Sequence, residues 1–201
     1  MPDQPVAEPP RQRSPSRYWA RGSWGPSRAL PPGEDLAALR RGLGREPGSV
    51  PGVWPFYTEL TGRGEVSRQL RAEHIALSLF GLHQQSQQAL MHRTGPSLGA
   101  AARALRQAGK FSPEAVDRRL VAAAQSSTVE TLAVHLRGLV QQFSSASGSH
   151  ALDYDRLMRD LVLWQTPDGV ARVRRRWGGD YYAPYDRQNS TGSPTAPIGA
   201  R

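Results

Sequence analysis

The residues from Gln69 to Leu90, QLRAEHIALSLFGLHQQSQQAL, limit what this chain can fold into more than any other stretch. Ile75, Ala76, Leu77, Leu79, Phe80 and Leu82 are apolar. At roughly 100° per residue they point all the way round a helix instead of along one stripe. A helix apolar on every side has to be covered by neighbours. Arg71 and Glu73 at one end, and Gln84, Gln85, Ser86, Gln87 and Gln88 at the other, mark where the chain returns to water. The segments able to cover this stretch read as helices too. It therefore predicts the central post of an all-α protein, a compact multi-helix bundle.

The covering segments follow in order. Glu34 and Asp35 suit a helix N-terminus, and the pattern Leu36, Leu39, Leu43 continues until Gly42 and Gly44 stop it. In REPGSVPGVWPFY, Pro47, Pro51 and Pro55 forbid a regular helix, and Trp54, Phe56 and Tyr57 are expected to plug the core. Ser97 is a good N-cap for a helix with Leu98, Ala101, Ala102 and Leu105 on one face. Ser112-Pro113-Glu114 opens the next helix, with proline at its first position and Val116, Leu120 and Val121 expected inward. Val129, Leu132, Leu136, Leu139, Val140 and Phe143 make the cleanest amphipathic stripe. Asp153 caps a helix carrying Leu157, Leu161 and Trp164, with Asp155/Arg159 and Arg156/Asp160 as i,i+4 pairs. Pro167–Asp168 opens the last helix, with Val170, Val173 and Trp177 inward and Tyr181, Tyr182 and Tyr185 closing the body. No strand pattern and no internal repeat emerge.

Residues 1–33 are rich in Pro, Ser and Arg and read as a disordered tail, apart from Tyr18, Trp19 and Trp24, which are aromatic enough to dock on the body. Residues 34–185 form the helical domain, and 186–201 read as a second disordered tail. About 150 residues remain for the body, enough for a real core. With no cysteine, disulfides, zinc–thiolate sites and thiol chemistry are excluded. The longest apolar run falls far short of the roughly 20 residues that span a bilayer. Met1–Pro10 lacks the apolar segment of a signal peptide. The expectation is a cytoplasmic protein without a membrane partner.

A search for catalytic groups leaves none standing, and no cofactor is expected. His74, His83 and His92 recur every nine residues. On one helix His83 would oppose His74, and His92 would lie about 27 Å from it, so they cannot share a metal. Gly42-Leu43-Gly44 follows a helix instead of opening one, and Gly109-Lys110 precedes Phe111 where a phosphate loop needs Ser or Thr. Asp153 and Asp155 are explained as a cap and a helix-start charge. The serines of 144–149 have no base nearby in sequence.

The basic residues are different in kind. Lys+Arg number 26 against 17 Asp+Glu, a net charge of +9, and all but one of the 26 are arginine. Arg40/Arg41, Arg103/Arg106/Lys110, Arg118/Arg119, Arg137 and the run Arg172, Arg174, Arg175, Arg176 lie off the apolar stripes of their helices. Singly, each is an ordinary solvated residue. Collectively they suit a groove that tracks a phosphate backbone without reading sequence. Anionic membrane surface is the other polyanion that composition leaves open, but no basic helix here combines with a strongly apolar exposed face.

Seven blocks then resemble one family. They are LRRGLGREPGSVPGVWPFY (Leu39–Tyr57), AEHIALSLFGLHQQS (Ala72–Ser86), HRTGPSLGAAARAL (His92–Leu105), GKFSPEAVDRRL (Gly109–Leu120), HLRGLVQQF (His135–Phe143), LDYDRLMRDLVLW (Leu152–Trp164) and VRRRWGGDYY (Val173–Tyr182). In this order, from about Leu36 to Tyr182, they closely resemble the CasB family, the small subunit of the type I-E CRISPR effector complex Cascade. The resemblance implies an all-helical, non-enzymatic protein working as a pair of copies against the guide-bearing backbone subunits and the large subunit. It also implies that basic surfaces hold the guide RNA–target DNA hybrid and the displaced strand, stabilising the R-loop in antiviral defence. Family basic positions fall on Arg41, near Arg71, and on Arg137, with Arg118 and Arg119 in the basic helix start. Gln125 and Gly138 stand where some relatives carry a further basic residue. Two alternatives stay open on the residues alone: a purely structural protein–protein adaptor, and a small nuclease or deaminase, against which the lack of cysteine and of a His/carboxylate cluster counts.

Overall fold

The computed structural model describes residues 16–21, 24, 29–146 and 150–183. Most of the two expected tails lies outside these residues. Seven α-helices are present among them: α1 (Gly33–Arg41), α2 (Arg68–Gln84), α3 (Leu98–Gln107), α4 (Pro113–Ala124), α5 (Val129–Ser145), α6 (Tyr154–Trp164) and α7 (Pro167–Tyr182). Two 3-10 turns, Tyr18–Ala20 and Pro51–Phe56, complete the set. Among the described residues there is no strand, only an isolated parallel bridge between His92 and Leu152.

The all-round apolar helix is the centre, as its sequence demands. Helix α2 packs against α1, α5, α6 and the Tyr18–Ala20 turn, and every residue from Ala72 to Gly81 is buried. Gly81 lets α1 come close, because a Cβ there would lie 2.7 Å from that of Leu39. A second layer is built by α3, which packs on α7, α4 and α5, and by the α4–α5 and α6–α7 pairs. The caps read from sequence form: Ser97, Ser112 and Asp153 accept from the amides of Ala100, Ala115 and Arg156. Each satisfies an otherwise orphaned donor of a first turn.

Several expectations are corrected. Helix α2 stops at Gln84 instead of continuing to Leu90. The Gln84 amide turns back, accepting from Met91 N and donating to Ala89 O, and Ser86 takes a left-handed conformation (φ 61°). His92 thus sits in a loop, beside Asp153 and Asp155, not on the helix of His74 and His83. Trp54 is 52% exposed, its indole N–H donating to Gly48 O, so only Phe56 and part of Tyr57 plug the core. Val121 is 47% exposed, since Val116, Leu120 and Ala123 suffice to fill the buried side of α4. The i,i+4 pairs on α6 give way to pairs across helices: Arg156 bonds Asp180 of α7, and Asp160 bonds Arg176 and Trp177. Tyr182 is exposed while Tyr181 is buried, and Tyr185 lies outside the described residues.

The aromatic residues of the N-terminal segment do dock. Tyr18 and Trp19 are fully enclosed against Phe56, Phe80 and Tyr154, and Trp24 packs partly on the core. Arg17 clamps the segment by pairing with Glu59 and Glu73 at 2.9 and 3.0 Å. Glu73 is wholly buried and also accepts from Thr58 N, Thr58 Oγ1 and Glu59 N. A buried carboxylate needs such saturation to be tolerated.

Candidate nucleic-acid interface

Helix α5 organises the surface as α2 organises the core. Leu132, Leu136, Leu139, Val140 and Phe143 face inward. The opposite ridge carries Glu130, Val134 and Arg137, all exposed, Val134 to 69%. A cleft opens on each side of this ridge, and Val134 belongs to both.

The first cleft, of about 380 Å³, lies between α2, α5 and the loop from Gly42 to Pro47, with Arg45, Arg71 and Arg137 on its walls. Its loop is pinned to α2. The buried ring of His74 is 2.8 Å from Gly42 O through Nε2 and 2.6 Å from the Tyr57 hydroxyl through Nδ1. Nε2 therefore donates to the carbonyl and Nδ1 accepts from the phenol. Burial holds His74 below its ordinary pKa, against the pull of the Gly42 carbonyl, so the ring is neutral in this role. Gly42 permits the approach, because a Cβ there would lie 2.6 Å from Ser78 Oγ.

The second cleft, of about 610 Å³, lies between α4 and α5 and carries Arg118, Arg119 and His135. A third recess shares Arg71 and Glu130 with the first and adds Arg68. Nearby, the Arg174 guanidinium lies 5.5 Å from the Trp164 ring centroid and donates to Ser126 O. Arg45, Arg68, Arg71, Arg118, Arg119 and Arg137 thus flank adjoining hollows on the two sides of α5 and where it meets α2.

The CRISPR-associated protein Cse2 family model matches residues 35–182 of this chain. Crystallographic CasB from Thermobifida fusca has 31% sequence identity to it with a TM-score of 0.58, covering 75% of this chain and 85% of that one. The chain belongs to the Cse2 family, also called CasB. A Cse2-family protein from Thermus thermophilus is similar at 25% identity, TM-score 0.58, over 75% of this chain and 86% of that one. CasB from M. ruber is similar at 26% identity, TM-score 0.56, over 77% and 86%. No curated protein matches the chain.

The basic residues of this Cse2 chain fall into two groups. Arg40, Arg41, Arg45, Arg68, Arg118, Arg119, Arg137, Arg172 and Arg175 make no side-chain hydrogen bond or ion pair among the described residues. Arg63, Arg93 and Arg159 make none either, while the following are engaged. Arg71 Nε pairs with Glu130 at 3.3 Å and its Nη1 donates to Gln165. Arg106 pairs with Asp117 at 3.0 Å, and Arg103 donates to Ala183 O at 2.9 Å. Lys110 donates to Ser145 O, and Arg176 pairs with the buried Asp160. The hydrogen bond from the Tyr181 hydroxyl, followed by that from Arg106, holds Asp117 below the usual carboxylate range. Desolvation pushes Asp160 up, opposed by the Trp177 indole N–H and Arg176.

The sequence did not single out Arg45 and Arg68: one lies in an irregular loop and the other at the first residue of α2, so neither belongs to a helical flank. A Cβ on Gly138 would lie 2.7 Å from Arg119 Nη1, the flexible end of a side chain that reaches over from α4.

Among the described residues one three-member His/carboxylate cluster occurs, His92, Asp153 and Asp155. Its atoms have local work. Asp153 accepts from Gly95 N and Arg156 N, Asp155 from Trp19 Nε1, and His92 Nδ1 from Tyr154 N. The trio ties the N-terminal segment and the His92 loop to the start of α6.

Proposed function

We propose that the chain is a non-catalytic subunit of the type I-E Cascade complex, holding the phosphates of the guide RNA–target DNA hybrid and of the displaced strand. A pair of copies would lie against the guide-bearing backbone subunits and the large subunit in the cytoplasm. The observation that carries this reading is the set of unpaired Arg45, Arg118, Arg119 and Arg137 around the α5 ridge, in a member of a CRISPR-associated family. Sequence is then read by base pairing, and the protein supplies charge neutralisation alone. Exchanging a DNA duplex for a guide–target hybrid is nearly balanced in free energy, so modest backbone contacts tip it.

The adaptor reading has its own support in the arginines already neutralised by carboxylates, Arg71, Arg106 and Arg176. The two separate in one experiment. The triple variant Arg41→Gln, Arg119→Gln, Arg137→Gln is assembled into the reconstituted complex, and R-loop lifetime is measured. Phosphate holding predicts normal assembly and a shortened lifetime. Normal lifetime in the assembled complex rejects it, and failed assembly favours the adaptor.

A further inference from the structure

The cleft between α2 and α5 has features that phosphate binding does not use. Its walls are largely apolar, with Ile75 and Leu79 from α2 and Ala133 and Val134 from α5. Ser78 is only 2% exposed, and its hydroxyl is sealed beneath Gly42, away from the open space of the cleft. The rim holds three guanidiniums, of Arg45, Arg71 and Arg137, against the carboxylates of Glu46 and Glu130. Arg71 takes up Glu130, whereas Arg45 and Arg137 have no partner. The volume, about 380 Å³, falls in the range of small-molecule sites, roughly 300–1,000 Å³.

We infer that this cleft receives an unpaired nucleobase of a single strand whose flanking phosphates lie on Arg45 and Arg137. The inference rests on the phosphate-holding reading and adds the base to it. A nucleobase is a plate with apolar faces and a hydrogen-bonding edge. Such plates are held between apolar side chains with one or two polar contacts. Apolar walls and a cationic rim match two parts of a nucleotide, its faces and its phosphate. A base within a duplex has both faces stacked and cannot enter, so the site distinguishes a displaced single strand from a hybrid.

The test uses the full chain and two single-stranded oligonucleotides of equal length and equal phosphate count, oligodeoxythymidine and a fully abasic strand. Binding of the abasic strand is expected to be at least about fivefold weaker, the low end of what one held base contributes. Ala133→Phe, which projects into the cleft from a half-buried position, should lower oligodeoxythymidine binding to the abasic level and leave abasic binding unchanged. Equal affinity of the wild-type chain for both strands overturns the base site but leaves phosphate holding intact, and assigns the cleft to an apolar side chain of a protein partner. A preference that survives Ala133→Phe also overturns it. Failure to bind either strand at low salt overturns the phosphate-holding reading as well.

Discussion

His83 sits wholly inside the bundle, its Nδ1 3.0 Å from the Tyr154 hydroxyl and its Nε2 without a hydrogen-bond partner. Burial, with a smaller push from His150, lowers its pKa from 6.5 to about 3. The folded value lies below the unfolded one, so the unfolded chain takes up the proton first on acidification. Stability tied to His83 is therefore fully present above pH 6.5 and falls as the pH drops toward about 3. The slope from one such proton is at most about 1.4 kcal/mol per pH unit. Urea unfolding of wild type between pH 6 and 4 should show this component, and His83→Phe should lose most of it. Identical slopes for the two proteins would contradict the burial argument. A second residue-scale expectation concerns Arg17, whose pairs with Glu59 and Glu73 pin the N-terminal segment. Arg17→Ala leaves the buried Glu73 short of its cation and should destabilise the fold by roughly 1–3 kcal/mol, read by the same unfolding assay.

At the scale of elements, two glycines predict effects of opposite sign. On α3, a Cβ at Gly99 would lie 2.2 Å from the backbone carbonyl oxygen of Trp177, so α3 and α7 touch through a missing side chain. Gly99→Ala should cost about 1–3 kcal/mol by overpacking. Gly179, exposed on α7, has nothing within 4 Å of such a Cβ, and Gly179→Ala should stabilise by roughly 0.5–1 kcal/mol. Chemical denaturation of both variants checks the pair of signs. Most elements were legible because their signals are local: the Ser97, Ser112 and Asp153 caps, the α5 stripe and the all-round apolar α2 each depend on neighbouring residues only. The end of α2 was not. Glutamine is a good helix former, and nothing in QQSQQ announces that the Gln84 amide folds back on Met91 and Ala89. Val121 and Trp54 were assigned inward on hydrophobicity, but what covers a position is decided by other helices.

At the scale of the whole molecule, the sequence showed which cations avoid the core but not which remain unpaired. Asp117 and Asp160 lie in other segments from the Arg106 and Arg176 they neutralise, so only the fold separates these from Arg118, Arg119 and Arg137. The blocks that mark the Cse2 family extend through the body, and they were readable because several occur in order. The meeting of Arg45, Arg71 and Arg137 around one cleft, by contrast, depends on a loop held to α2 through His74. The central claim is that the unpaired arginines beside α5 grip phosphates. Its most direct test is the dependence of single-strand binding on salt, plotted as log affinity against log salt concentration, for the wild-type chain and for Arg119→Gln, Arg137→Gln together. Each phosphate contact on a single strand contributes a slope of about −0.7, so losing two should make the plot shallower by about 1.4. A double variant with the wild-type slope, or a wild-type affinity indifferent to salt, would contradict it.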